Sequence, residues 1–569
     1  MKKGKYVLII FLIFFFLILI TAISFFYYEF KRPPTVKAFS CLELKLSGGI
    51  VERAMPNIPQ MFLGVEPLSL YDIWMNIRKA KRDDRIRCLL LRLGYLSCDW
   101  AKVNEIRESI LDFRKSGKKA YAYIEEAPEF DKEYFLATAC DEIILHPLGF
   151  LGINGIGGHF PFFKNALSKL GIEAQFEHVE EYKTASNIFT EEKFTPAHKE
   201  MIESIYSRLF DGYIQTIAEA RGKSREEVKT LIDHGFFQGE KAVESGLVDK
   251  LLFEDELENL LQEKGKKLHR ISHERYLKVR PTSLGLNKGK KIALIFGIGP
   301  IHTGESVSQT MGSSTISRWI RKARKDKSIK GVVFRVDSPG GSAVASDVIW
   351  REVALTKREK PVIVSMSDVA GSGGYWVSMA AHKIVSHPQT LTGSIGVLAG
   401  KFNLAKLYDK LGITSERLTY GEKADAFSTF RGFTQEERES LKKEILWIYD
   451  QFLAKVSEGR HMKKEDIDQI GKGRVWIGSQ AKELGLVDDI GGLAKAIQLA
   501  KKLAGIPDDE EVKLVIWPRK ISLFQALMGK KQARTDLPPD PSLLKILQIL
   551  KVLEKERIWA LMPFWILPE

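Results

Sequence analysis

The sequence predicts an α/β fold built twice in tandem behind a single apolar N-terminal helix. Three observations carry that reading: a long internal repeat, alternation of short apolar runs with amphipathic segments inside each copy, and an uncharged run at the N-terminus. At 569 residues the chain is long enough for about three or four domains of the usual 100–200 residues. Hydrophobic residues make up 44% and charged residues 28%. Those are globular proportions, and they exclude a wholly disordered, collagen-like or multi-span membrane chain. The net charge of +14 is spread over 86 Lys+Arg and 72 Asp+Glu, so a mixed-charge surface accounts for it and no nucleic acid partner is expected. Cys41, Cys88, Cys98 and Cys140 form no CxxC pair, and neither structural zinc nor a disulfide framework is expected.

The N-terminus comes first. Lys2, Lys3 and Lys5 precede Tyr6–Tyr28, a stretch without a charge that, as a helix, is long enough to cross a bilayer. The lysines before it favour a cytoplasmic N-terminus, so residues 1–32 read as an anchor with the body outside the cytoplasm. Val7–Ile20 also has the length of a signal-peptide core, with Ala22 and Ser24 as small residues at a cleavage position. The aromatic run Phe25–Tyr28 continues past that point and favours an uncleaved anchor with an interfacial belt.

The two copies follow. Ile77-Arg-Lys-Ala-Lys81 recurs as Ile320-Arg-Lys-Ala-Arg324, Leu91–Leu93 as Phe334–Val336, and Glu133–Ala139 as Gly374–Ala380. Glu244-Ser-Gly-Leu-Val-Asp249 returns as Glu483-Leu-Gly-Leu-Val-Asp488, and the order is kept throughout. Leu42–Leu46, Cys88–Leu93 and Ala120–Ile124 read as buried strands of the first copy, and Ile292–Phe296, Gly331–Val336 and Pro361–Ser365 as those of the second. Lys264–Lys291, rich in lysine and holding Pro281 and Gly285, reads as a linker. This divides the body into residues 33–285 and 286–505. Residues 506–569 form an extension, with proline-marked connectors at Pro507–Glu511 and Leu537–Pro541. An apolar helical stripe from Leu543 to Leu553 and the tail Trp559–Glu569 complete it. The tail is too short to cross a membrane, and packing on another domain, lying on lipid, or entering a peptide groove all stay open for it.

The chemistry concentrates in the second copy. In Asp368-Val-Ala-Gly-Ser-Gly-Gly-Tyr-Trp376, Ser372 stands between glycines just after a strand, where a sharp turn exposes a nucleophile. The amide of Gly373 follows it at a helix start and is the natural first donor to an oxyanion. Ser338-Pro-Gly-Gly-Ser342 ends the preceding strand and offers Gly340 and Gly341 as the second. The first copy is an internal control, because it has Asp131, Lys132 and Glu133 where the second has Ser372, Gly373 and Gly374. Glycines restricted to one copy point to function there. For the base, His382 and His387 lie downstream of the serine, but His387-Pro388 is matched by His146-Pro147 in the copy without a nucleophile, which favours a structural role. A desolvated lysine is the alternative, and Lys183 and Lys423 occupy comparable places in the two copies.

Ser338-Pro-Gly-Gly341, Gly371-Ser-Gly-Gly-Tyr375, Leu391-Thr-Gly-Ser-Ile-Gly396 and the paired Gly-Leu-Val-Asp elements resemble the long, two-repeat bacterial type of signal peptide peptidase A. These are membrane-anchored Ser/Lys proteases of the Clp-protease and crotonase-like fold. The resemblance runs from the anchor to about residue 500. It implies Ser372 as nucleophile, Lys183 of the first repeat as general base, and Ser394 as the residue that orients the lysine amine. Ser394 is matched by Ile153 in the first copy. Short single-repeat relatives keep the lysine in the same repeat as the serine, where this chain has Ala424 with Lys423 adjacent, and that departure favours Lys183. The resemblance further implies signal-peptide remnants and other apolar peptides as substrates, no cofactor, a place in the bacterial inner membrane with a periplasmic body, and a homo-oligomer, tetrameric by resemblance. A crotonase-like acyl-CoA enzyme and a noncatalytic membrane scaffold are the competing functions, and covalent labelling of Ser372 separates both from a protease.

Overall fold

The computed structural model describes residues 34–54, 67–125, 130–262, 267–307, 309–519 and 558–563, together with residues 11, 14, 15, 17, 18 and 21. Most of the expected anchor and the stripe at Leu543–Leu553 lie outside the described residues. Among the described residues no helix is long and apolar enough to cross a membrane.

The fold is mixed α/β, with one mainly parallel sheet per copy. The first sheet orders its strands Lys250–Leu251, Glu142–Leu145, Lys119–Ile124, Ile86–Leu96, Ser40–Gly48 and His269–Ser272, all parallel. Parallel strands covered on both faces must be apolar along their length. Leu89, Leu90 and Leu91 are accordingly all buried. The second sheet repeats the plan with Val362–Gly371, Ile329–Ser338, Lys290–Ile298 and Val512–Trp517 in parallel, joined by Leu391–Gly393 and, antiparallel to it, Val475–Ile477. All six strands expected from the apolar runs are present. Each copy also carries a 26-residue helix, Pro196–Arg221 and Gln435–Arg460, started by the side chain of Thr195 and Thr434 respectively.

Two expectations are corrected. Within the supposed linker, His269–Ser272 pairs with Ser40–Gly48, and the following helix His273–Leu277 is pinned to the first copy. Tyr276 is fully buried there, and Lys79 Nζ donates to the carbonyls of Tyr276 and Val279 at 2.7 and 3.0 Å. The second sheet likewise continues past residue 505, because Val512–Trp517 pairs with Lys290–Ile298 over six residues. In both copies a strand that arrives late closes the edge beside the first strand.

A third sheet joins the copies. Its order is Met311–Gly312, Ile301–His302, Gly340–Ser342, Ile558–Leu561, Leu398–Asn403 and Glu173–His178. Glu173–His178 belongs to the first copy and pairs antiparallel with Leu398–Asn403 of the second over six residues. This crossing strand carries the chain that follows it, including Lys183, onto the second copy.

The copies also meet through buried ions. Helix Trp100–Arg114 of the first copy lies against strand Val362–Gly371, with the Lys102 ammonium between Asp337 (2.8 Å) and Asp368 (2.6 Å). Beside it, the fully buried Arg335 guanidinium reaches Glu52 at 2.8 Å and also bonds Glu105. His387 completes the cluster, its Nε2 3.3 Å from Glu105 and its Nδ1 3.1 Å from the Asn104 amide.

Candidate active site

Strand Val362–Gly371 is buried along its whole length and delivers Ser372 to the turn that opens helix Gly373–Trp376. Ser372 has φ 55° and ψ −110°, a left-handed backbone that a side chain adopts only under constraint. The constraint is visible: its amide donates to the Gly393 carbonyl at 2.8 Å, and its carbonyl accepts from Trp376 at 2.8 Å. Its hydroxyl oxygen also lies 3.3 Å from the Gly396 carbonyl oxygen.

Lys183 approaches from the other copy. Its Nζ lies 2.7 Å from Ser372 Oγ and 3.0 Å from both the carbonyl oxygen and the hydroxyl of Ser394. The side chain is fully buried. Backbone fit holds it in place, since the preceding Tyr182 amide donates to the Lys472 carbonyl and a Cβ on Gly473 would stand 2.5 Å from the Lys183 Cβ and amide nitrogen. Burial, with no carboxylate to offset it, pushes the Lys183 amine well below its ordinary value.

The second Gly-rich turn lies alongside. Gly340 and Gly341 have φ 100° and 149°, and Ser338 Oγ accepts the Gly340 amide at 3.2 Å. A Cβ on Gly340 would sit 2.7 Å from the Gly373 nitrogen, so the two turns touch, as adjacent strand ends allow. The two Gly-rich turns singled out in the sequence therefore lie side by side.

Of the remaining candidates, Ser394 is at the site and Lys423 is not. Lys423 is exposed and paired with Glu436 at 3.0 Å. His387 sits in the ion cluster between the copies, and the His382 Nδ1 accepts the Val362 amide at 3.1 Å; neither contacts Ser372. The sequence reading missed Lys102, Asp337 and Asp368, which tie the strand ends bearing both turns to the first copy. The one signal for them was Asp368 standing four residues before Ser372 on a buried strand.

Residues 112–269 and 354–507 both match the family model of Peptidase family S49. The chain belongs to peptidase family S49. This S49 peptidase is 38% identical to "Serine protease SPPA, chloroplastic" of Arabidopsis thaliana over 79% of its own length and 68% of the relative's. It is 32% identical to "Protease 4" of Haemophilus influenzae, over 83% and 80% of the two chains. Solved structures similar to parts of it include ClpP1 from Listeria monocytogenes, at 16% identity and a TM-score of 0.23 over 35% of this chain and 91% of that one. A membrane-bound stomatin-specific protease matches at 15% identity and 0.27, over 41% of this chain and all of that one. The S49 peptidase is a serine endopeptidase with two copies of the family domain.

Proposed function

We propose that this S49 peptidase degrades cleaved signal peptides and similar apolar peptides, with Ser372 as nucleophile and Lys183 as general base. The observation that carries the proposal is the buried Lys183 amine 2.7 Å from Ser372 Oγ. A neutral amine has two N–H groups and one lone pair. Its N–H groups match the two oxygens of Ser394, which leaves the lone pair for the Ser372 hydroxyl proton. Ser372 Oγ then attacks the peptide carbonyl, and the amides of Gly373 and Gly341 stabilise the oxyanion. The lysine returns its proton to the leaving amine, and water, activated by the same amine, releases the acyl-enzyme. Names of relatives such as "Putative signal peptide peptidase SppA" of Enterococcus faecium support the substrate class.

The duplicated unit reads as Clp-protease and crotonase-like, with residues 33–285 supplying the base and 286–505 the nucleophile. The uncharged run Tyr6–Tyr28 would anchor the body in the bacterial inner membrane, close to spent signal peptides, and the resemblance supports a tetramer. The test is hydrolysis of an apolar signal-like peptide by detergent-solubilised protein. Ser372→Ala and Lys183→Ala should be inactive and Lys423→Ala active; full turnover by Lys183→Ala would sink the dyad. Sedimentation of the same samples should report four subunits, and protease protection in spheroplasts should place the body outside the cytoplasm.

A further inference from the structure

The turn Gly471-Lys-Gly-Arg474 joins helix Lys464–Ile470 to strand Val475–Ile477, and it touches both Lys183 and Ser394. The Lys472 carbonyl accepts the Tyr182 amide at 3.2 Å, and Gly473 stands so close to Lys183 that a Cβ there would meet its amide nitrogen at 2.5 Å. From the same turn the Gly473 amide donates to the Ile395 carbonyl at 2.8 Å, and the Arg474 carbonyl accepts the Ser394 amide at 2.7 Å. The lysine and the serine that holds its amine are thus set against one four-residue template.

That template is strained and has its own support. Lys472 has φ 47°, a left-handed backbone that a side chain adopts only when its surroundings impose it. Tyr449, buried on helix Gln435–Arg460, imposes it: its hydroxyl accepts the Lys472 amide at 3.1 Å and donates to the Asp468 carboxylate at 2.6 Å. One hydroxyl, oriented by a carboxylate, satisfies the amide of the strained residue.

The first copy separates what the fold requires from what has been added. Helices Pro196–Arg221 and Gln435–Arg460 match end to end, so Phe210 stands where the second copy has Tyr449, and Lys229 where it has Asp468. The backbone bond is kept in both, since the Ile153 amide donates to the Gly235 carbonyl at 2.8 Å as the Ser394 amide does to Arg474. The turn is not kept: helix Arg225–His234 runs on through the positions of Gly471, Lys472 and Gly473. Of the two copies, only the one against which a lysine is seated has the tyrosine, the aspartate and the strained turn.

We infer that Tyr449 is a positioning residue for the reaction: through the turn Gly471–Arg474 its hydroxyl holds the Lys183 amine in reach of Ser372 and Ser394. This rests on Ser372 and Lys183 acting as proposed above. Without the hydroxyl the Lys472 amide loses its acceptor, the left-handed turn relaxes, and Gly473 no longer backs Lys183. A base displaced by a fraction of an ångström slows proton transfer while peptide binding at the Gly-rich turns is untouched. A looser site also lets water reach the amine, and a hydrated amine holds its proton more tightly, because burial is what weakens that hold in the intact site.

The test compares Tyr449→Phe with Tyr213→Phe in the detergent-solubilised full chain, using one apolar reporter peptide. Tyr213 makes the matching bond in the copy without a nucleophile, its hydroxyl 2.7 Å from Asp131, so each variant loses one tyrosine–aspartate bond. Tyr449→Phe should lower kcat about 10- to 100-fold with KM within about twofold of wild type, and should move the acidic limb of kcat/KM up by about one pH unit. Tyr213→Phe should lower the midpoint of urea unfolding and leave kcat and the limb as in wild type. Asp468→Ala, which keeps the ring and frees only the hydroxyl, should move the limb the same way by less, and it stands in if Tyr449→Phe is too unstable to assay. Wild-type kcat and pH profile in these variants overturn the inference and leave the dyad standing. A fall in kcat with an unmoved limb assigns Tyr449 to packing and overturns it too, whereas full turnover by Lys183→Ala in the same assay overturns the dyad and this inference together.

Discussion

At the end of the third strand of each copy the same backbone plan meets two different fates. In the second copy the strand leads to Ser372, flanked by Gly371 and Gly373. In the first copy the equivalent position holds Asp131, whose carboxylate accepts from Tyr213 Oη at 2.7 Å and from the Gly155 amide at 3.0 Å. At the position of Gly374, where a Cβ would stand 2.6 Å from the Ser338 carbonyl oxygen, the first copy has Glu133, which accepts the Leu96 amide, and at the position of Gly373 it has Lys132, whose side chain reaches the Cys98 carbonyl. The first copy has thus turned the elements of an oxyanion site inward and uses them as internal braces. It gives its own chemistry, Lys183, to its neighbour. The difference suggests a division of labour on the proposed mechanism: one copy carries the proposed nucleophile, and the other the proposed base together with Lys102, Glu52 and Glu105 of the interface.

The largest test of that division is removal of the two reacting groups. Ser372→Ala should abolish covalent turnover, leaving only the residual acceleration that binding and the oxyanion donors supply, and Lys183→Ala should lower kcat by about 10²–10⁴-fold or more. Asp131→Ala, the mirror of Ser372→Ala, should leave kcat within about twofold and act on stability only. Steady-state kinetics on one apolar peptide compares all three. The pH profile sharpens the point. Because burial holds the Lys183 amine well below the ordinary lysine range, kcat/KM should rise with pH on a limb far more acidic than free lysine would give. An acidic limb at the free-lysine value would mean that Lys183 is not the base.

The next effect concerns the interface. Lys102→Met leaves the buried Asp368 and the half-buried Asp337 without their shared counter-ion, and breaking a buried ion pair from one side costs about 3–5 kcal/mol. Both aspartates lie on strands that end in the Gly-rich turns, so activity should fall along with the midpoint of urea unfolding. Rescue by Lys102→Arg would favour charge pairing over packing.

These contrasts were legible to different degrees. The duplication, the sheets and the one-sided glycines could all be read, because buried parallel strands must be apolar runs and because a turn that bares its amides needs glycine. Ser372 followed from its neighbours. Lys183 did not follow from any local pattern: what sets it apart from other lysines is the fit around it, supplied by Gly473, Gly396 and Ser394, far away in the chain. The closing strands at His269–Ser272 and Val512–Trp517 were hidden too. His269–Ser272 lies in charged sequence, and Val512–Trp517, although an apolar run, lies beyond the point where the internal repeat ends. Lys102 and Arg335 look like surface residues until helix Trp100–Arg114 is laid against the second sheet.

A smaller effect separates the copies by pH. Burial alone would push His387 down, but hydrogen bonds to Glu105 and Glu108 outweigh it and hold the imidazole at about 9. A pKa raised on folding contributes stability that is complete below the unfolded value of about 6.5 and is lost as pH rises through the folded value. The interface should therefore weaken between about pH 6.5 and 9. In the first copy, burial raises Asp131 to about 6 and Glu133 to about 7, against partial relief from their hydrogen bonds. The sign is the same, but the window is lower, from about pH 4 to 7. Thermal unfolding against pH should show a decline beginning below neutrality, and Asp131→Asn should remove part of the acidic portion of that decline while leaving the alkaline portion, set by His387, in place. If His387→Gln left the alkaline portion unchanged, the histidine would be neutral in the folded protein and the charge cluster would be held by Arg335 alone.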